Sequence, residues 1–297
     1  MKPAPFDYVR PISLAEACEI LGADEDARII AGGQTLIPML AMRLSRPTRL
    51  VDIARLGELK GITCEDDAVV IGAVTRQVEV ERSETARRKL PLLVKALPFV
   101  GHPPTRNRGT VGGSIANADP SAEIPLIAVT LGADILIENA GGPMSVPADE
   151  FFIGAMVTSV MPGDCVRAVR FPVWSQPHIG TGFHEVSARQ SDFAFVAAAA
   201  QIALDQDGRC LDAALGLGGV GDRAERIDVS GLIGEDVSRV KIADLVRPAI
   251  EHLEANSDLT VSAAYRRRIA ATFATRALED AIAEARAAAS ANPGALQ

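Results

Sequence analysis

Two glycine-rich runs hold the residues in this chain whose types and spacing suit ligand chemistry: Ala31-Gly32-Gly33-Gln34-Thr35 and Thr110-Val111-Gly112-Gly113-Ser114. Glycine lets the backbone come close to a ligand, and the neighbouring hydroxyl and amide side chains add donors, so each run suits N–H groups closing on an anion. Two runs in one chain point to a diphosphate held from two sides, because a single loop satisfies only part of its acceptor oxygens. The remaining candidates are weaker. Cys18, Cys64, Cys165 and Cys210 form no C-x-x-C pair and have no histidine at ligand spacing. That argues against a zinc site or an iron–sulfur cluster in this chain and for buried free thiols. His102 beside Pro103-Pro104 is read as a loop residue, and Arg106 and Arg108 as solvated loop arginines in preference to phosphate ligands. No catalytic acid, base or nucleophile and no metal ligand is assigned.

One further glycine run is set aside. Gly216-Leu217-Gly218-Gly219-Val220-Gly221 matches G-x-G-x-x-G after an apolar strand, yet the residues that follow, Asp222 to Gly231, carry no apolar helical face. The strands before it read as a hairpin and not as a βαβ unit, so the run is expected to be a strand end and a turn.

The elements that must position the two retained runs can be read from periodicity and caps. Ser13 and Glu16 make a capping box for a helix through about Leu21, and Arg28 to Ala31 is a short strand leading into the first run. Thr35 is expected to cap a helix with Pro38 in its first turn, running to about Leu44, which sets a helix N-terminus beside the loop. Leu50 to Ile53 and Ala68 to Ala73 read as strands, and Thr75 to Arg82 and Leu92 to Phe99 as helices. Gly101 to Pro125 reads as a long irregular functional segment ending in a helix from Glu123 to Leu131. Strands follow at Asp134 to Glu138, after a Gly141-Gly142-Pro143 turn, and at Val166 to Phe171, with a helix near Ala148 to Phe152. A linker at Pro172 to Pro177 leads to three β runs, Thr181 to Ser187, Phe193 to Leu204 and Cys210 to Val220, with Asp207-Gly208 as a hairpin turn. Two helices, Ile242 to Glu254 and Ser262 to about Ala288, close the chain.

Composition limits the function classes. The 297 residues are 48% hydrophobic, which suits a large packed core and two domains. A net charge of −8 with no dense Lys/Arg block argues against nucleic acid or an anionic membrane as partner. The N-terminus lacks an apolar signal core and the stretch Phe193 to Leu204 is too short to span a bilayer, so a cytoplasmic protein without membrane insertion is expected.

The first run with its continuation Leu36-Ile37-Pro38-Met39-Leu40, then Arg43-Leu44, Arg46-Pro47 and Leu50-Val51-Asp52-Ile53, resembles the N-terminal FAD-binding signature of the medium, or flavoprotein, subunit of molybdenum hydroxylases. The carbon monoxide dehydrogenase medium subunit and the FAD domain of xanthine dehydrogenase belong to that group. Arg106 to Pro120 followed by Glu123-Ile124-Pro125 resembles its second signature, and the likeness continues through Glu150-Phe151-Phe152, Pro162-Gly163-Asp164, Asp192-Phe193-Ala194 and Ala264-Tyr265-Arg266-Arg267.

The resemblance implies an α+β fold. A two-part FAD-binding domain of the vanillyl-alcohol-oxidase-like (PCMH) type is expected at 1–175, made of two α+β subdomains. A small C-terminal α+β domain with an antiparallel sheet and helices is expected at 176–290, with a tail at 291–297. It also implies that Ile30, Ala31, Gly32, Gly33, Gln34, Thr35, Leu36 and Ile37, with Thr110, Val111, Gly112, Gly113 and Ser114, hold the FAD pyrophosphate. Asn117, Asp119 and Glu123 line the same site, Val100 and Val166 supply apolar contacts, and Phe193 stands where some relatives place a tyrosine against the isoalloxazine. His184-Glu185 departs from a lysine common nearby. The function implied is oxidoreductase chemistry by electron transfer: FAD in this chain, [2Fe-2S] clusters in a small partner subunit and a molybdopterin cofactor in a large one. Such proteins assemble as dimers of heterotrimers and pass electrons to an external acceptor. Rival readings are a self-sufficient FAD-dependent oxidase or dehydrogenase of a small organic substrate, and a scaffold that has lost FAD.

Overall fold

The computed structural model describes residues 2–237 and 240–291, so the expected tail lies outside the described residues except for Ala291. The first layer is a parallel sheet of β1 (Asp7–Val9), β2 (Arg28–Ile30) and β3 (Arg49–Asp52) in the order β1-β3-β2, with α1 (Leu14–Ala23) and α2 (Leu36–Ala41) as its connections. Ser13 caps α1 by accepting the Glu16 N–H at 3.2 Å, while the Glu16 carboxylate reaches back to the Ile12 N–H at 2.7 Å.

The chain then forms β4 (Ile62–Cys64) and β5 (Ala68–Gly72), and next a run of short helices: α3 (Gln77–Arg82), α4 (Glu84–Lys89), α5 (Pro91–Ala96), α6 (Pro103–Arg106), α7 (Val111–Asn117) and α8 (Glu123–Leu131). It returns through β6 (Asp134–Asn139), β7 (Gly142–Pro147), α9 (Ala148–Phe151), the small hairpin β8 (Phe152–Gly154) and β9 (Val157–Thr158), and β10 (Cys165–Pro172). These strands make an antiparallel sheet in the order β4-β5-β10-β6-β7. The last layer is an antiparallel sheet of β11 (Ile179–Ser187), β12 (Ala194–Leu204), β13 (Cys210–Gly218) and β14 (Glu225–Ile227), covered by α10 (Ile242–Glu251) and α11 (Ala263–Ala291).

Two helices join the layers. Every residue of α8 is buried, because it is packed between the β5–β10 sheet and strands β12 and β13. α11 lies close on β11 and β12 because both faces are made of small residues: Ala270, Ala274, Ala277, Ala281 and Ala285 on the helix, Ala197 to Ala200 on the strand, all at most 2% exposed. Gly180 and Gly182 complete the contact, since a Cβ at either would collide with the Ala281 or Ala277 carbonyl oxygen.

Several expectations are corrected. Gly101 to Pro125 is largely helical: it contains α6 and α7 and the start of α8. The glycines of the second run hide α7 because they are poor helix formers, yet Gly112 is forced there, as a Cβ on it would strike Ala73. Thr35 has helical backbone angles and makes no side-chain cap, and α2 ends at Ala41, followed by Arg43 at φ 59°. Cys64 is exposed, unlike the other three thiols. Strands β1, β4, β8, β9 and β14 and helix α4 are too short to leave a periodic signal. The rejected fingerprint is the end of β13 and a turn with Gly219 at φ 72°, and its glycines make room for α8, whose Thr130 and Leu126 a Cβ on Gly216 would meet.

Candidate functional site

The first glycine run touches the chain that leads into the second. A Cβ on Gly32 would lie 2.5 Å from the Arg108 carbonyl oxygen and 3.0 Å from Gly109 Cα, so the backbones approach as closely as glycine permits. The turn from Ala73 to Gln77 fixes the second run from behind. Gly112 N–H donates to Ala73 O at 2.9 Å, Val111 N–H to Thr75 O at 3.1 Å, and Gln77 N–H to Gly109 O at 3.0 Å. On the cavity side the first run leaves β2 and enters α2, with Gly33 at φ 69°, a conformation that favours glycine.

A cavity of about 790 Å³ opens where the runs meet, within the size range of small-molecule sites. Ile30, Ala31, Gly32, Gly33, Gln34, Thr35 and Leu36 line it from one side, and Thr110, Gly112, Gly113, Ser114, Asn117, Asp119 and Glu123 from another. Val100, Val166 and Phe193 complete the lining among the residues expected from sequence. Ile37 and Val111 do not line it: Ile37 is half exposed on α2, and Val111 is fully buried in the core below. Phe193 is 69% exposed at the cavity mouth, so it is not a core aromatic.

The runs differ in what they offer an anion. Among the described residues, the backbone N–H groups of Gly32, Gly33, Gln34, Thr35 and Leu36 have no acceptor, so the first run presents a row of free donors. The second run has spent four of its five: Val111 and Gly112 donate to the turn behind, Gly113 to the Thr110 hydroxyl at 3.1 Å, and Ser114 to Thr110 O at 3.2 Å, while the Thr110 N–H has no acceptor among the described residues. The even grip by N–H groups expected from composition is therefore weighted to the first run. The second run acts as a tightly packed wall, with the Thr110 hydroxyl capping α7.

Sequence reasoning missed several lining residues. Gln77 and Gly109 stand behind the meeting point, and the segment from Val160 to Cys165 closes the far wall. Only the Pro162-Gly163-Asp164 turn had left a signal in the sequence. Arg106 is also corrected: it is buried, with Nε on the Glu81 carboxylate at 2.9 Å and Nη1 donating to Val100 O at 3.2 Å and Gly101 O at 2.7 Å. It shapes the Val100–Gly101 wall and does not line the cavity.

Carboxyl groups gather at the α8 end of the cavity. Burial pushes Glu123 up to about 7, with the Asp119 charge adding to the shift and Arg106 opposing it. Burial also raises Asp119. On β11, burial and then the charge of Glu123 push Glu185 up to about 8, and its Oε2 is enclosed without a partner. The upward shifts weaken the repulsion these groups would otherwise exert on an anionic ligand.

A parallel three-stranded layer, a two-loop cradle with free N–H groups and an apolar end walled by Val100 and Val166 define a protein that binds a dinucleotide-like cofactor outside the Rossmann plan. The arrangement fits FAD on this structure's own terms: the free donors suit a diphosphate, and the volume and mixed polar and apolar lining of the cavity suit a large dinucleotide. Residues 4–174 match the family model for the FAD-binding domain in molybdopterin dehydrogenase, and residues 181–281 the model for the CO dehydrogenase flavoprotein C-terminal domain. The chain belongs to this family: it is an FAD-binding oxidoreductase subunit of the molybdenum hydroxylase type.

Relatives extend over the whole chain. It is 37% identical to the 6-hydroxypseudooxynicotine dehydrogenase complex subunit alpha of Paenarthrobacter nicotinovorans, covering 96% of this chain and 97% of the other. It is 34% identical to the carbon monoxide dehydrogenase medium chain of Afipia carboxidovorans, covering 96% and 100%. Among solved structures, quinoline 2-oxidoreductase from Pseudomonas putida 86 aligns with a TM-score of 0.90 at 36% identity, over 96% of this chain and 99% of that one. The expected α+β organisation, an FAD-binding domain followed by a C-terminal domain, is thereby shown. No helix among the described residues is long and apolar enough to cross a membrane.

Proposed function

We propose that this chain holds FAD in the cavity between its two glycine runs and relays electrons from a small [2Fe-2S] subunit to an external acceptor, in a cytoplasmic assembly with a large molybdopterin subunit. A dimer of such heterotrimers is the proposed complex. The observation that carries the binding mode is the row of unpartnered N–H groups from Gly32 to Leu36, set against Gly109, the residue that leads into the second run. Bound FAD supplies the ability to exchange electrons one or two at a time.

This chain's residues bind and orient. In the proposal, Ile30 to Leu36 form the diphosphate side, with the N–H groups of Gly32 to Leu36 as donors and Ile37 outside the cavity on α2, and Thr110 to Ser114 form the opposing wall, where the buried Val111 anchors α7. Asn117, Asp119 and Glu123 face the ligand from the α7–α8 side, and burial shifts the carboxyl groups of the last two upward. Val100 and Val166 exclude water from the apolar end, and Phe193 stands at the mouth where a planar ring would be reached from outside. No side chain is assigned an acid–base step.

The isolated chain loaded with FAD should be reduced by dithionite and remain inert toward aldehydes and N-heterocycles. Adding the cognate small and large subunits should give substrate-dependent flavin reduction. Rapid flavin reduction by a small organic substrate in the single purified chain would instead establish a self-sufficient dehydrogenase.

A further inference from the structure

Phe193 stands at the mouth of the cavity on a loop with few ties to the rest of the protein. The loop leaves β11 at Ser187 and re-enters the sheet at Ala194, and Ser191, Asp192 and Phe193 line the cavity. Its polar contacts stay local. The Ser187 hydroxyl and the Asp192 N–H donate to Arg189 O, Arg189 pairs with the Asp192 carboxylate at 3.4 Å, and the Phe193 N–H donates to that carboxylate at 3.0 Å. Among the described residues, none beyond Ser187 hydrogen-bonds to residues 188–193.

The first tie to the body comes one residue after the ring. The Ser121 hydroxyl donates to Ala194 O at 2.8 Å. Ser121 lies in the turn between α7 and α8 that lines the cavity, and its own N–H donates to the Asp119 carboxylate at 2.9 Å, which braces the turn from the cavity side. Other contacts hold the strand behind this point. The buried Arg266 guanidinium donates to Phe195 O at 2.6 Å and to Gly219 O, and pairs with Asp258. The Gly219 N–H donates to Pro120 O at 2.8 Å, and a Cβ on Gly219 would lie 2.8 Å from Phe195 O. Strand β12 is therefore fixed from Phe195 onward without Ser121. The step from Phe193 to Ala194 is held by Ser121 and by an irregular end of the β11–β12 ladder, whose register shifts between Val186 and Ser187. A segment with so few bonds opens readily, so one tie at its end carries much of its placement.

We propose that Ser121 is a positioning residue: by holding Ala194 O, its hydroxyl stations the Phe193 ring over the cavity, against the bound isoalloxazine. The ring's partner rests on the assignment of FAD to this cavity; the anchor itself does not.

The test uses the full-length chain in the wild type and in Ser121→Ala, Ser121→Val and Ser121→Thr, of which Thr keeps the hydroxyl and Val has the shape of Thr without it. On the flavin-free chain, tryptic cleavage after the exposed Arg189 reads how often the loop opens. Cleavage should be about two- to tenfold faster in the Ala and Val variants, the worth of one neutral hydrogen bond, and close to the wild-type rate in the Thr variant. The second readout is optical: with FAD bound, Phe193→Trp should quench flavin fluorescence, because an indole in contact with the isoalloxazine does so. Adding Ser121→Ala or Ser121→Val should introduce a longer-lived emission, and adding Ser121→Thr should keep the decay of the Phe193→Trp parent. Trp174 is common to all variants.

Unchanged cleavage in Ser121→Ala and Ser121→Val would overturn the inference. Equal cleavage in Ser121→Thr and Ser121→Val would overturn it as well, by showing that shape and not the hydroxyl matters. Faster cleavage with an unchanged flavin decay, or no quenching in Phe193→Trp, would leave Ser121 as a loop tether and refute the stationing of the ring. If the chain binds no FAD, the FAD assignment fails and the cleavage rates still decide the anchor.

Discussion

Replacing Gly32 by alanine tests the contact on which the cradle depends. Gly32 has no positive φ, so the substitution is not opposed by backbone conformation; its cost comes from one added carbon. That carbon would lie 2.5 Å from Arg108 O and 3.0 Å from Gly109 Cα, where ordinary contact begins at 3.4 Å. The loops must therefore part by about 1 Å, and a close-packed interior resists such a shift. Arg108 cannot yield freely, because its N–H donates to Thr105 O and its carbonyl accepts from the Arg76 guanidinium. Overpacking of this kind costs about 1–3 kcal/mol. In the empty protein the loops can relieve it by spreading, so most of it should fall on the bound state, as roughly five- to 150-fold weaker FAD affinity. Equilibrium titration of the deflavinated variant measures this directly. Gly57→Ala is the control, because a Cβ there meets nothing within 4 Å and should leave affinity unchanged. Affinity for FAD in Gly32→Ala within about twofold of wild type would refute the close-contact reasoning, since that is well under 1 kcal/mol.

Two further outcomes concern residues packed around the site. Glu185 holds its proton more tightly folded than unfolded, so the native state carries the extra proton between the ordinary glutamate range and about 8, and stability must fall as pH rises through that window. Glu185→Gln removes the penalty: urea midpoints should match wild type near pH 4 and gain about 2 kcal/mol by pH 8, after discounting for partial exposure and coupling to Glu123. A pH-independent difference would contradict the buried-acid reading. Arg106→Met should destabilise the fold by roughly 3–5 kcal/mol, because it strips Glu81 and the Val100 and Gly101 carbonyls of their shared partner. A loss below about 1 kcal/mol in chemical denaturation would place Arg106 among solvated surface arginines after all.

What local sequence determines here is what depends on a few neighbouring residues. The strands and helices that leave a periodic signal, the Ser13 cap, the turn at Asp207-Gly208 and the two glycine runs are legible because each is fixed by residues within a few positions of one another. The rejection of the Gly216 fingerprint is legible for the same reason: Asp222 to Gly231 has no apolar helical face.

The division of labour between the glycine runs was decided only in three dimensions. From composition they look alike, yet the N–H groups of Val111 to Ser114 in the second run are consumed by Ala73, Thr75 and Thr110, and those of Gly32 to Leu36 at the first are free, a difference set by which segment each run packs against. Arg106 carries no local mark of a buried residue, and its place comes from Glu81, brought to it by the fold. The sequence alone therefore determined the chemistry on offer, because glycine conformation and side-chain donors are local properties. Only tertiary packing settled which donors are left over for a ligand, because a hydrogen-bonding group is free or spent according to neighbours that are distant along the chain.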